Sequence, residues 1–364
     1  MIAHRRDRIL SGLNLAGAGL EIGGGYNPIT CKDEFLVDHL DHADRDTLIA
    51  KFASQGIDTS RIQAVDYVWS GQRYAELVGE KRYDWIIASH VIEHVPNPIQ
   101  FLNDCTEILS EDGVLSLVIP DKRFCFDYYR PPSGLGRLID AFVAGDTRTT
   151  AGSVVEHIMY AATVDGAITW DRTAEHSAPK FLHTAEQARG LYDSIAQDGA
   201  FHDVHAWAFT PASFRLVADD LNRLRLISLR ERSWHDTEGY EFYVQLSRQG
   251  DGPDVARATL AKSAISAWNG ETEQAAERLR DPASSTAARR GAGELVELAR
   301  SNSRGEIIVQ GTSGHPQIYL IRDGRRHAIA SPAWIIAHGY TGEDVIVVDD
   351  AVIFEVAEGE IFVA

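Results

Sequence analysis

The chain has 364 residues, which at ~150 residues per domain points to about two domains. Its 44% hydrophobic and 24% charged residues are ordinary globular usage and argue against disorder. A formal net charge of −18 argues against bare nucleic acid as the main partner, because phosphate backbones are bound by clustered Lys and Arg.

The three cysteines, Cys31, Cys105 and Cys125, are odd in number and form no C-x-x-C pair. They argue against a disulfide framework and fit a reducing, cytoplasmic compartment. The basic residues 4–8 precede an apolar stretch, 9–20, that Ser11, Gly12 and Asn14 interrupt, so a cleaved signal peptide is rejected. No run of ~18 apolar residues marks a membrane span.

In chain order, short apolar runs predict strands at 18–22, at 35–37 ending in Asp38, at 62–65 ending in Asp66, at 84–88 and at 114–119. Helical segments, such as 44–54 and 98–109, lie between them. Continuous apolar strands alternating with helices predict a doubly wound α/β fold with a parallel sheet buried on both faces. Residues 121–210, rich in Tyr, Phe, Trp and His, break this rhythm and are expected as an insertion or lid. Two further strands, 224–230 and 240–246, separated by a polar turn at 233–238, would complete a seven-stranded, mostly parallel sheet.

Residues 251–304 have helical spacing, with Ala256, Leu260, Ala264 and Trp268 on one face, and are expected as a helical linker after a first domain of residues 1–250. Residues 305–364 form short β-like runs broken by Gly, Pro and Asp. They predict a small β-rich module with a hairpin turn at Asp323-Gly324, either a docking element for a protein or ligand partner or a stabilising appendage.

Four strand-end signals carry chemistry. The first is Leu20-Glu21-Ile22-Gly23-Gly24-Gly25, where glycines permit a sharp turn and a close backbone approach to a ligand. The second is Asp38, placed to accept ribose hydroxyls, with Asp41 as a nearby competitor. The third is Asp66-Tyr67, a hydrogen-bond acceptor beside a ring that can supply apolar surface. The fourth and most specific is residues 83–98, which contain Ser89-His90-Val91-Ile92-Glu93-His94-Val95.

Taken together, these motifs resemble class I S-adenosylmethionine (SAM)-dependent methyltransferases over residues 18–120. The E/D-x-G-x-G-x-G loop departs from that pattern at Asn27. Residues 118–124 and 203–211 resemble a bacterial subgroup associated with glycosyltransferases and surface polysaccharide genes. The resemblance implies a Rossmann-like fold, SAM as cofactor, and Glu21, Gly23, Gly25, Asp38, Asp66, Tyr67 and Ser89 as its binding residues. It implies methyl transfer to an O or N atom of a small-molecule or glycan-type acceptor.

His90, just past the fourth strand, is the first candidate for a base or acceptor contact, with Glu93 and His94 bracing the turn. At i, i+3 and i+4 the three share a helix face and, with His205 or His183 as a fourth ligand, form an alternative metal site. The metal-free reading is preferred. Tyr128, Tyr129, Trp170 and Trp207 are candidates for stacking on an acceptor. Two other readings remain: a non-catalytic binding protein on the same fold, and a zinc metallopeptidase through His90-x-x-Glu93-His94, which needs its histidines on one long helix.

Overall fold

The computed structural model describes residues 2–172, 177–198, 202–268, 292–302, 304–311, 318–329, 345–348 and 350–358. The chain divides into two compact units, Met1–Gly270 and Glu271–Ala364.

The first unit opens with α1 (Ile2–Leu10). It is followed by β1 (Gly19–Ile22), β2 (Val37–Asp41), α2 (Arg45–Ala53), β3 (Tyr67–Val68), α3 (Tyr74–Val78), β4 (Tyr83–Ser89), α4 (Pro98–Ile108) and β5 (Leu109–Pro120). The region after β5 contributes α5 (Leu135–Ala144), α6 (Ala151–Tyr160), a small ribbon of β6 (Ala162–Thr163) and β7 (Lys180–Phe181), and α7 (Ala185–Asp198). Then come α8 (Pro211–Arg223), β8 (Arg230–Glu238), β9 (Glu241–Ser247) and α9 (Arg257–Trp268).

The seven-stranded sheet has the order β3-β2-β1-β4-β5-β9-β8. Strands β1 to β5 pair in parallel, and β9 runs antiparallel to both β5 and β8. This is the mostly parallel Rossmann-like architecture anticipated from the strand pattern.

Strand alternation sends successive side chains to opposite faces. In β4, Ile86 and Ala88 enter one core with Leu20, Ile22 and Leu117, whereas Trp85 and Ile87 enter a second core with Ile9, Val37 and Val118. Both faces are therefore covered, which is why these strands are apolar throughout. The helices start where their sequences stop them from starting earlier. Asn97 caps α4 by accepting from the Gln100 amide, and Pro98 occupies the first turn, where its missing N–H costs nothing.

Three strand placements differ from expectation. β2 extends to Asp41, so Asp38 lies in its first half rather than at its carboxyl end. β3 is Tyr67–Val68, with Asp66 entering it rather than closing it. The expected strand 224–230 falls outside the sheet except for Arg230, and the polar stretch 233–238, expected as a turn, is instead the second half of β8. As the outermost strand, β8 has half-exposed residues from Ser233 to Asp236, so its polarity reflects an edge position.

In the second unit, a five-stranded sheet has the order β13-β10-β11-β12-β14, with β10 (Glu306–Gly311), β11 (Ile318–Arg322), β12 (Arg325–Ile329), β13 (Val345–Val348) and β14 (Ala357–Glu358). β11 and β12 form the anticipated hairpin, and Asp323 and Gly324 take φ of 53° and 75°, as a type I′ turn requires. Helices α10 (Ala292–Ser301) and α11 (Asp350–Glu355) bury Leu295, Ala299 and Ile353 against Ile307, Val309 and Ile321. Of the short β-like runs expected in 305–364, the one at 352–356 thus falls largely in a helix. The expected linker is split as well: α9 packs on α8 in the first unit, and α10 belongs to the second.

Candidate active site

Parallel strands of an open α/β sheet deliver their carboxyl ends, and the loops that follow them, to one edge. At the end of β1, Gly23 and Gly25 take φ of 69° and 50°, in the left-handed region that glycine enters without penalty. A Cβ on Gly23 would stand 2.7 Å from Val91 Cγ2, so the turn closes against the β4 loop only because no side chain is there.

Glu21, fully buried beneath this turn, accepts from the amides of Ile29 (2.7 Å) and Thr30 (2.8 Å) and from Thr30 Oγ1 (2.5 Å). Burial pushes its carboxyl pKa up, and the three donors only partly offset this. Glu21 holds the loop that follows the glycines.

The two acids expected to meet the nucleoside stand elsewhere. Asp38 accepts from Tyr83 Oη at 2.7 Å and Tyr67 Oη at 3.4 Å and is paired with Lys81. Burial opposes its ionisation, but Lys81 and Tyr83 outweigh it and hold the carboxyl below its usual range. Asp66 accepts from the His39 amide (2.7 Å) and from Lys32 Nζ (2.5 Å). Tyr67 is thereby committed to Asp38 and the core. The reason is register: Leu20 pairs with Asp38, and Leu40 with Tyr67, so all three expected residues lie one to three positions below the strand ends.

The acid at the end of β2 is Asp41. Its Oδ2 accepts from the Gly25 amide at 3.1 Å, and its Oδ1 from the His42 amide at 2.8 Å. Asp41, Gly23 and Gly25 therefore form one constellation: a carboxylate beside a turn that lacks side chains, the acceptor that ribose hydroxyls need.

The end of β4 carries the second constellation. His90 has φ of 54°, a left-handed conformation that costs a non-glycine residue roughly 1–2 kcal/mol. That strain turns the chain out of the strand and presents the ring to Glu241 at the start of β9, with Nε2 and Glu241 Oε2 2.7 Å apart. Its Nδ1 lies 3.3 Å from Glu93 Oε1. Burial alone would lower the imidazole pKa, but the two carboxylates outweigh it and raise it to about 9. Glu241, conversely, is held down to about 2 by His90 and Arg5 against its own burial. With both ring nitrogens facing carboxylates, His90 is not the free base expected at this position.

Glu241 Oε1 also accepts from Arg5 Nε (2.5 Å) and Tyr243 Oη (2.7 Å), and Arg5 Nη2 donates to Ser89 Oγ at 2.9 Å. Helix α1 therefore closes the mouth of β4, a role its basic sequence did not disclose. Beside this network lies an open cleft of about 810 Å³ whose lining includes Arg5, Arg8, His235, Glu238, Tyr240 and Glu241.

The element His90-Val91-Ile92-Glu93-His94 is a turn, with the His94 and Val95 amides donating to the Val91 carbonyl, and α4 begins only at Pro98. The expected shared helix face does not form: His90 meets Glu241, and His94 Nδ1 meets Asp203 Oδ1 at 2.8 Å. This removes the metallopeptidase reading, which requires that helix.

From the insertion, His205 Nδ1 contacts Asp127 Oδ2 at 2.5 Å, and buried Arg130 bonds Asp127 and the carbonyls of His205 and Ala206. His176 lies outside the described residues. Of the aromatics expected to stack on an acceptor, Trp170 is buried against Tyr128, which also meets Tyr129, and Trp207 donates to the Val95 carbonyl at 2.7 Å. They serve as packing.

A family model described as a methyltransferase domain matches residues 2–178. No curated protein matches the sequence. Solved structures to which the chain is similar include the CcbJ methyltransferase from Streptomyces caelestis (14% identity over 68% of this chain and 95% of that one, TM-score 0.36). They also include the complex of DhpI with SAH (16%, 69% and 83%, TM-score 0.32). A third is a SAM-dependent methyltransferase from Clostridium acetobutylicum (11%, 68% and 90%, TM-score 0.33).

Proposed function

We propose that this chain is a SAM-dependent methyltransferase that methylates an O or N atom of a small, polar, glycan-type acceptor bound in the cleft beside β4. The observation that carries this reading is Glu241. It lines the cleft and also holds His90 and Arg5 at the mouth of β4, so the acceptor cleft and the cofactor edge of the sheet share one hydrogen-bonded group.

The constellation at β1 and β2 fits SAM. Asp41 would accept the ribose hydroxyls, Gly23 and Gly25 would admit the cofactor's backbone-side approach, and Glu21 keeps that turn in shape. When bound, the cofactor supplies a methyl group already activated on a sulfonium. The protein's task is then to position and desolvate the acceptor. Tyr240 and the polar groups of Arg8, His235 and Glu238 offer the aromatic surface and mixed donors and acceptors that a hydroxylated acceptor requires. His90, with both ring nitrogens engaged, orients the acceptor rather than taking its proton.

Membership in the polysaccharide-associated subgroup belongs to this same proposal, as does a cytoplasmic site of action, which the three free cysteines favour. Among the described residues no helix is long and apolar enough to cross a membrane.

Calorimetry with SAM tests the cofactor half. Asp41→Asn is expected to weaken binding by about 1.5–3 kcal/mol, roughly 10- to 100-fold, the scale of hydrogen bonds to a charged group. Asp38→Asn should stay near wild type. The reverse order would restore Asp38 as the ribose acid. Profiling labelled methyl transfer over a pool of metabolites and glycans tests the acceptor half. His90→Ala should abolish turnover while keeping SAM affinity. Binding of SAM without transfer to any O or N acceptor would favour a non-catalytic role.

A further inference from the structure

We propose that Glu93, His94 and His205 form a binding site for a first-row divalent cation of the zinc class. The inference stands on the geometry of these side chains alone and does not depend on the methyl-transfer reading.

The three residues offer ligand atoms that all lie within 4.8 Å of one another, and His205 Nε2 stands 4.0 Å from Glu93 Oε1. Ligand atoms around a tetrahedral zinc stand roughly 3.3–3.5 Å apart, so side-chain shifts of about 0.5–1.5 Å would gather the three.

A buried carboxylate normally collects hydrogen bonds, because leaving it bare is expensive. Glu93 is fully buried, yet its Oε2 has no partner among the described residues and its Oε1 faces His90 Nδ1 in an ion-pair contact at 3.3 Å. Glu21, equally buried and only one strand away, accepts three. The difference is what a ligand oxygen kept for a cation looks like.

The histidines carry the complementary sign. His205 Nδ1 is held by Asp127 at 2.5 Å, and His94 Nδ1 by Asp203 at 2.8 Å. A carboxylate on one ring nitrogen fixes the proton there and leaves Nε2 as the ligand nitrogen, an arrangement typical of metal-binding histidine. Both rings are so held, and they meet edge to face with centroids 4.7 Å apart. His90 stays outside the set, because its Nε2 is taken by Glu241. Two imidazoles and one carboxylate suit zinc, cobalt or iron rather than magnesium or calcium, which take oxygen shells. Three protein ligands leave a position for water or a substrate oxygen.

The test uses the full-length protein, stripped with a chelator and titrated with Co²⁺, Zn²⁺ and Mg²⁺. Expected are one equivalent of Co²⁺ with a visible ligand-field spectrum, its displacement by Zn²⁺ but not by Mg²⁺, and a higher melting temperature on loading. Glu93→Gln and His205→Ala should each weaken Co²⁺ binding at least ~100-fold. Asp203→Asn, at an exposed position that leaves the fold intact, should weaken it roughly 10-fold or more. His183→Ala should leave it unchanged. Absence of stoichiometric Co²⁺ or Zn²⁺ binding by the wild type overturns the proposal. So does binding that survives Asp203→Asn and, in folded variants, Glu93→Gln and His205→Ala.

Discussion

The ends of β1 and β2 and the end of β4 solve the same problem, placing buried charge at the edge of a parallel sheet, by opposite means. At β1 and β2 the carboxylates are met by nearby backbone: Glu21 by the amides eight and nine residues on, Asp41 by those of Gly25 and His42. At β4 all but one of the charged partners come from far along the chain, Glu241 for His90, Asp203 for His94 and Arg5 for Glu241, the local one being Glu93 for His90. The first region is held by a loop that one stretch of sequence encodes. The second exists only once α1, the insertion and the β8–β9 hairpin have all docked. Losses at β1 and β2 should therefore be local, and losses around β4 should spread.

The largest effect should come from Arg130, which anchors the insertion. It is fully buried, bonds Asp127 at 2.7 Å and reaches the carbonyls of His205 and Ala206. Arg130→Met leaves Asp127 as a buried charge missing one of the two basic side chains hydrogen-bonded to it, at a cost of about 3–5 kcal/mol. Thermal melting should fall by roughly 10 °C. Adding Asp127→Leu should recover part of the loss, since a removed pair costs less than a broken one. If Arg130→Met melts like wild type, the insertion is not held by this pair and the contrast between the two regions fails.

The next effect belongs to His39 in β2. Burial, aided by Lys32, lowers its imidazole pKa from 6.5 to about 4, and its Nε2 has no hydrogen-bond partner among the described residues. Between pH 6.5 and 4 the unfolded chain binds the proton that the folded one refuses, so stability falls as pH falls through that window. The full loss, complete below pH 4, is up to roughly 3 kcal/mol. Denaturant midpoints measured from pH 7 to 4 should therefore drop less steeply in His39→Gln than in wild type. Parallel slopes would show that His39 is protonated in the folded protein.

The smallest effect sharpens the local side of the comparison. Asn97→Ala removes the cap of α4 and should cost about 1 kcal/mol in chemical denaturation without altering SAM affinity. A change in SAM affinity would mean that the start of α4 is coupled to the cofactor edge, contrary to its local role.

Much of this was legible in the sequence because the signals were short-range. The apolar runs of β1, β4 and β5, the Gly23–Gly25 turn and the Asp323-Gly324 hairpin each depend on neighbours a few residues away, and backbone sterics leave them few alternatives. Strand ends were harder. Further pairing carried β2 on to Asp41 and moved the entry to β3 to Tyr67, which left Asp41 rather than Asp38 at the carboxyl end of β2. Period-two alternation does not mark where a strand stops; the neighbouring strand's hydrogen bonds do.

What the tertiary structure alone decided is the company each charge keeps. Composition and pattern placed His90, Glu93 and His94 at the cofactor edge, but their spacing was the same whether they shared a helix or split around a turn. The docking of Glu241, Asp203 and His205 set His90 between two carboxylates and left Glu93 buried with two histidines beside it. Those partners lie some 110 to 150 residues from the residues they meet. Electrostatics acts through space and not along the chain, so no local window of sequence holds that information.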